Sequence, residues 1–236
     1  MHPLSPVLQK GADGLGLALS EEQKAQLLAY MDLIGKWTKV YNLTAVRDAN
    51  EMLTHHLLDS LAVIAPLRRE LAKLNLTSTD WAADTEEGKG LGVAKSAQTK
   101  YRLLDVGAGA GLPGIVIAIT CPEVAVTCVD TVAKKAAFIQ QVAATLKLTN
   151  LRGLHARVES LVQPYDVVCS RAFASLIDFT TWSQAALADG GVWMAMKGKH
   201  PDQEMAVLPE NVKVFHVEQL RVPGLDAERC IVWMRG

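Results

Sequence analysis

The chain has 236 residues, half of them apolar, so it can bury a sizeable core as one main domain with a smaller appendage. Its 24 Lys and Arg nearly balance 25 Asp and Glu, for a formal charge of −1; a global basic field is excluded, and any nucleic-acid contact must come from a local patch. Four cysteines (Cys121, Cys128, Cys169, Cys230) form no C-x-x-C pair and lie in or beside apolar, strand-like stretches, which reads as buried thiols, not as a disulfide framework or a zinc site.

Ser20-Glu21-Glu22-Gln23 has the form of a capping box. Leu27, Tyr30, Met31, Ile34 and Trp37 then recur at helical spacing and predict one buried stripe. Asp48 or Asn50 can cap a second helix whose Leu53, Leu57, Leu61 and Ile64 keep the same period up to Pro66. Residues 1–69 are therefore expected to form a helical segment packed on the catalytic domain. Residues 70–100 are rich in Thr, Ser, Gly, Lys and Glu and read as a polar insertion or linker, with Trp81 its possible anchor.

From residue 101 to 236, strand and helix signals alternate. Strands are expected at Arg102–Val106, Ala125–Val129, Leu151–Leu154, Tyr165–Ser170 and Gly191–Met196, with helices at Pro113–Thr120, Ala133–Leu146 and Leu176–Leu187. Val212–Val217 and Glu228–Met234 follow as strands with no convincing helix between them, and read as a terminal hairpin. The fold class is α/β: a doubly wound, Rossmann-like sheet, mostly parallel, ending in an antiparallel hairpin.

The chemistry concentrates at Leu103–Gly114, a buried strand, a glycine loop and a helix start, and at Asp130, which closes the next strand. Glycine lets the loop backbone approach a ligand closely, and an acid at the second strand can accept ribose hydroxyls, so an adenosine-containing cofactor is expected. Gly109, Gly111 and Gly114 also satisfy G-x-G-x-x-G, which leaves a nicotinamide-dependent oxidoreductase as an alternative. Two details favour S-adenosylmethionine (SAM). Asp105 before the loop would serve a cationic methionine end and repel a pyrophosphate, and Pro113 removes an N–H that a phosphate would use. The terminal hairpin points the same way. A nucleotide-sensing module without catalysis is the third reading.

Further motifs carry a family resemblance: Trp37 with Tyr41-Asn42-Leu43-Thr44 and Arg47, His56-x-Leu58-Asp59-Ser60, the run Asp105–Ile115, Arg157-Val158-Glu159, Ser170–Ser175, Lys197-Gly198, and Val222–Arg229. Together they resemble the bacterial small-subunit (16S) rRNA guanine-N7 methyltransferases, the RsmG or GidB family, over nearly the whole chain outside 70–100. The resemblance implies that Gly107, Gly109, Gly111 and Leu112 line a SAM loop and that Asp130 holds the ribose. It further implies that Val158 and Glu159 flank the adenine and that Arg171 closes the cofactor site towards the substrate.

Phe173 is a plausible neighbour of an exposed target base, and Lys197 and Lys199 are expected to contact rRNA phosphates. They belong to a set of candidate cations with Arg47, Arg171, Arg221 and Arg229. Cys169 could mimic the nucleophile of cytosine-C5 methylation, but the proline that usually precedes that nucleophile is absent, and a buried thiol is the ordinary alternative. His55 and His56 are adjacent and cannot share a helix face as metal ligands, so no metal is expected. No basic stretch leads into an apolar one in the first twenty residues, and no apolar run reaches membrane-spanning length. The expected protein is a cytoplasmic monomer that meets 16S rRNA, free or in the small ribosomal subunit, and no membrane.

Overall fold

A computed structural model describes residues 2–77 and 99–236. Most of the expected segment 70–100, Trp81 included, lies outside the described residues.

The helical region opens with α1 (Ser5–Gly14), which the sequence reading did not anticipate, followed by α2 (Glu21–Tyr41). The capping box forms as expected: Ser20 Oγ accepts from the Gln23 N–H (3.1 Å) and Gln23 Oε1 from the Ser20 N–H (3.0 Å). Gln23 also donates to Ile119 O and Thr120 O, so the first turn of α2 is tied to the first crossover helix of the sheet. Leu27, Tyr30, Met31 and Ile34 are buried, and Trp37 packs on Tyr41 and Phe138.

Asp48 caps α3 (Ala49–Met52), its Oδ1 accepting from the N–H groups of Asn50 and Glu51. A π-helical turn, Leu53–Leu58, leads into α4 (Asp59–Leu61), and α5 (Ile64–Thr77) follows. Pro66 does not end this helix. It sits in the first turn of α5, where a missing N–H removes no intrahelical bond, and α5 runs past Glu70, the expected start of the polar segment.

The described residues form a seven-stranded sheet: β1 (Tyr101–Val106), β2 (Val124–Asp130), β3 (Leu151–His155), β4 (Tyr165–Arg171), β5 (Leu187–Lys197), β6 (Lys213–Leu220) and β7 (Arg229–Arg235). Their order is β3-β2-β1-β4-β5-β7-β6, parallel from β3 to β5, with β7 antiparallel to both β5 and β6. This is the doubly wound sheet with a terminal hairpin expected from the sequence. Crossovers run through α6 (Gly114–Thr120), α7 (Ala133–Thr145) and α8 (Leu176–Ser183).

Both faces of the sheet are covered, which is why the central strands read as continuous apolar runs. Alternation is visible in what each residue packs against. Leu103, Cys128, Val167, Met194 and Trp233 join the core beneath the helical region; Leu104, Val129, Val168, Trp193 and Val232 join the core beneath α8.

Two boundaries differ from expectation. The helix at Leu176 stops at Ser183, and after a 3-10 turn the chain is already extended at Leu187. Ser183 accepts a buried hydrogen bond from the Trp193 indole (3.0 Å), which fixes that corner. A short helix, α9 (Asp202–Ala206), stands between β5 and β6; it buries none of its side chains, which explains the missing periodic signal.

Candidate functional site

Strand order reverses between β1 and β4, and the loops at the carboxyl ends of these strands open the crevice where open α/β sheets bind ligands. The loop leaving β1 places Gly107, Gly109 and Gly111 at φ of +65°, +60° and +87°. A Cβ on Gly109 would meet only the Gly107 carbonyl oxygen, at 3.9 Å, and would take up space at the crevice that a ligand needs; one on Gly107 would collide with the Phe173 ring. Gly111 is buried and faces Ile115, so it shapes the turn without lining the crevice.

Asp130, almost fully buried, is held rigidly at the end of β2. Its Oδ2 accepts from the Gly109 N–H (3.0 Å) and its Oδ1 from the Val132 N–H (2.8 Å), with Lys135 Nζ at 3.7 Å. A carboxylate fixed by backbone N–H groups keeps lone pairs for ribose hydroxyls.

The crevice has two compartments. The first, about 410 Å³, is lined by Asp130, Val158, Glu159, Gly107, Phe173 and Trp182 among others. Val158 is buried; Glu159 is exposed with Arg157 3.6 Å away. The second, about 650 Å³, is lined by Gly107, Gly109, Leu112, His56, Asp59, Arg171, Phe173, Lys197 and Arg229 among others. Gly107, Ala172 and Phe173 line both and mark where they meet. Ala172 has φ +51°, a strained setting for a residue with a Cβ, and it turns Phe173 back over the glycine loop. The Phe173 ring is buttressed edge-on by Phe179 and Trp182, at centroid distances of 6.4 and 5.9 Å.

The structure thus brings together Gly107, Gly109, Leu112, Asp130, Val158, Glu159, Arg171, Phe173 and Lys197. It does not bring Lys199 into either compartment; that residue is exposed, and its carbonyl accepts from the Cys230 thiol. Lys197 lines the second compartment with its ammonium held by Glu204 (2.8 and 3.0 Å) and by Ala174 O (3.3 Å).

Asp105 requires a correction. It does not reach towards a methionine end, because its side chain turns to the core and accepts from the Gly114 N–H (2.9 Å), lining neither compartment. Burial pushes its carboxyl up to about 7, against the opposing pull of the Gly114 N–H and of Arg171. Its Oδ1 has no hydrogen-bond partner among the described residues. Cys169 is likewise fully buried, and burial drives its thiol well above the ordinary range, the opposite of what a nucleophile needs.

Sequence reasoning passed over Asp59 as a site residue, although it is a carboxylate with 3% exposure on the wall of the second compartment. The available signal is its place in the His56-x-Leu58-Asp59-Ser60 motif. His56 hydrogen-bonds a neighbouring loop: Nε2 lies 2.7 Å from Thr44 Oγ1, and Thr44 Oγ1 accepts from the Val46 N–H. Burial first, and the Arg171 charge second, lower the His56 pKa. Among the described residues no group of His, Cys, Asp and Glu could hold a metal ion.

The family described as GidB, rRNA small subunit methyltransferase G, matches residues 23–77 and 89–232, leaving 78–88 unmatched between them. A protein of Polaromonas sp. (strain JS666 / ATCC BAA-500) named "Ribosomal RNA small subunit methyltransferase G" is 65% identical over 97% of this chain and 92% of its own length. A protein of the same name from Albidiferax ferrireducens is 63% identical over 100% of this chain and 98% of its own length. Among solved structures, TrmN from Thermus thermophilus superposes with a TM-score of 0.49 at 19% identity, over 59% of this chain and 45% of that one. With both segments of the family matched and relatives of this identity along nearly its full length, the chain belongs to the GidB, or rRNA small subunit methyltransferase G, family.

Proposed function

We propose that this chain is a SAM-dependent methyltransferase acting on N7 of a guanine in 16S rRNA. The observation that carries the reading is the pair of compartments meeting at Gly107 and Phe173. One presents a fixed carboxylate to a ribose, and the other is a roomier, cation-bearing space open to a macromolecule. Family membership removes the nicotinamide-dependent oxidoreductase reading. No helix among the described residues is long and apolar enough to cross a membrane.

In this reading Asp130 accepts the ribose hydroxyls, the Val158 and Glu159 segment borders the adenine, and Gly107, Gly109 and Leu112 let the backbone close on the ligand. SAM supplies a methyl group on a positively charged sulfur. Guanine N7 carries a lone pair and no proton, so the chain needs no general base; its task is to hold N7 in line with that methyl group, and orientation alone supplies much of the rate. His56 and Asp59 line the second compartment but are engaged by Thr44 and by Arg171 and Arg229, not by each other, which suits this chemistry. Phe173, braced from behind, offers a face to a splayed base, and Arg171 borders the second compartment beside it. Lys197 and Lys199 are the cations proposed to meet rRNA phosphates, with the protein acting as a cytoplasmic monomer.

The test is methyl transfer to deproteinised 16S rRNA and to small-subunit particles, followed by chemical cleavage mapping at 7-methylguanine. One cleavage site at a guanine is the expected result. Incorporation of label without such a site would overturn the N7 assignment. Activity on only one of the two substrates tells which form the enzyme meets.

A further inference from the structure

Three distant parts of the chain converge on one carboxylate in the wall of the second compartment. Asp59 follows directly on the π-helical turn of the helical region, and such turns recur at functional sites. Its Oδ2 accepts from Arg171 Nη1 at the end of β4 (3.0 Å), and its Oδ1 accepts from Arg229 Nε at the start of β7 (2.8 Å). Arg171 Nη1 also donates to His55 O (3.1 Å), and Arg229 Nη1 to Glu228 O (2.8 Å). Arg171 is thus gripped at Nη1 alone, which leaves its Nε–Nη2 edge open, whereas Arg229 is gripped at Nε and Nη1 on opposite sides and keeps Nη2. Among the described residues Nε and Nη2 of Arg171 and Nη2 of Arg229 have no protein partner, and both side chains line the compartment.

The charge balance is uneven. Two guanidinium groups share one carboxylate, so the cluster holds one positive charge in excess, whereas the neighbouring Lys197 is neutralised by Glu204. Removing charges from water is costly, and a buried ion cluster is weak evidence for stability on its own account. Its geometry has a different use: a guanidinium held along one edge presents the other edge in fixed orientation to an oxyanion.

We propose that Asp59 is a positioning residue that sets Arg171 and Arg229 as a two-armed receptor for an oxyanion in the reacting compartment. Resting on the methyltransferase reading, the proposal allows two sources for that anion, the carboxylate of the methionine moiety of SAM or a phosphate next to the target guanine. Asp59→Asn keeps the shape but withdraws the charge and puts an amide N–H against a guanidinium. Arg229→Gln leaves the Asp59–Arg171 pair in place and removes one arm, so no buried charge is stranded.

The experiment measures binding of S-adenosylhomocysteine by calorimetry, the rise in melting temperature that it induces, and binding of deproteinised 16S rRNA, for both variants. Loss of a charge-assisted contact to the anion weakens one ligand by about tenfold to a hundredfold, and the same ligand in both variants. If S-adenosylhomocysteine is the ligand weakened, the anion is the methionine carboxylate; if rRNA is, the anion is a phosphate. A purely structural Asp59 would lower the melting temperature but leave the ligand-induced rise and both affinities unchanged, which overturns the proposal. Equal weakening of both ligands, the mark of a collapsed cavity, overturns it as well. Should Asp59→Asn fail to fold, Arg229→Gln decides alone by the same criteria. None of these measurements needs turnover, so wild-type protein that binds S-adenosylhomocysteine yet makes no 7-methylguanine would sink the functional reading and leave this one standing.

Discussion

The two walls of the crevice are built in different ways. The Asp130 wall is made by backbone: loop N–H groups at Gly109 and Val132 fix the carboxylate, and the residues concerned lie within about one strand–loop–helix unit of each other. The Asp59 wall is made by side chains. Its carboxylate meets Arg171 and Arg229 across 112 and 170 residues of sequence. A wall of backbone amides tolerates changes in neighbouring side chains and is sensitive to the loss of its one acid. A wall of ion pairs divides its role among partners, so the loss of any one affects the others. The Asp130 wall is therefore locally encoded, and the Asp59 wall is assembled from the fold.

The largest effect expected beneath this comparison comes from Asp105, which supports the strand serving both walls. Its carboxyl is raised by burial from the ordinary carboxylate range to about 7. The unfolded chain releases this proton near pH 4 and the folded chain near pH 7, so between those values the folded state binds more protons. Stability then falls as pH rises through this window and levels off above it, by on the order of 4 kcal/mol in all. Asp105→Asn keeps an acceptor for the Gly114 N–H and cannot titrate. Denaturant unfolding at pH 5, 6, 7 and 8 should show a falling trend in the wild type that is flattened in the variant. Parallel trends would mean that Asp105 is ionised in the fold.

Next comes the backbone-built wall itself. Asp130→Ala removes the acceptor for two backbone N–H groups together with the ribose contact, and should weaken S-adenosylhomocysteine binding by about a hundredfold, the cost of a charged hydrogen-bond pair. Binding of rRNA should hardly change, because Asp130 is confined to the first compartment. A comparable loss of rRNA affinity would show that the two walls are not separable.

Phe173 tests the seam. It lines both compartments and covers Gly107. Phe173→Ala should lower kcat/KM for rRNA by about tenfold, the worth of one base–aromatic stack, and S-adenosylhomocysteine affinity by less. Equal losses would assign the ring to the cofactor side.

The same contrast explains what could be read from the sequence. The strands, their alternation between two cores, the capping box at Ser20 and the acid at Asp130 are set by local periodicity and turn chemistry, and all were legible. Leu103 and Leu104 announce a strand buried on both faces without knowledge of its neighbours. Asp105 was misread because its position beside the glycine loop says nothing about which face of β1 it occupies; the pleat sends it inward, to Gly114. Asp59 was missed because its meaning lies in Arg171 and Arg229, which only the β4-β5-β7 order brings near it. The helices α1 and α9 escaped for opposite reasons: α1 is short, with Leu8, Gly11 and Ala12 as its buried face, and α9 buries no side chain at all.

The smallest effect expected is at the outer rim, where the comparison between a paired and a free cation can be made within three residues. Lys197 is held by Glu204 and has only 18% of its side chain exposed, whereas Lys199 is exposed and its side chain has no hydrogen-bond or ion-pair partner among the described residues. A lysine that neutralises a phosphate contributes about one to the slope of log affinity against log salt. Lys199→Glu should therefore reduce the slope for rRNA binding by about one and weaken binding to all sequences alike. Lys197→Glu places a second carboxylate beside Glu204, so its larger cost should appear in thermal stability, with a smaller change in slope. If reversing both charges left rRNA affinity and its salt dependence unchanged, neither lysine would touch the backbone. The phosphate track would then have to run over the Arg171 and Arg229 side of the compartment, where the unspent guanidinium edges are.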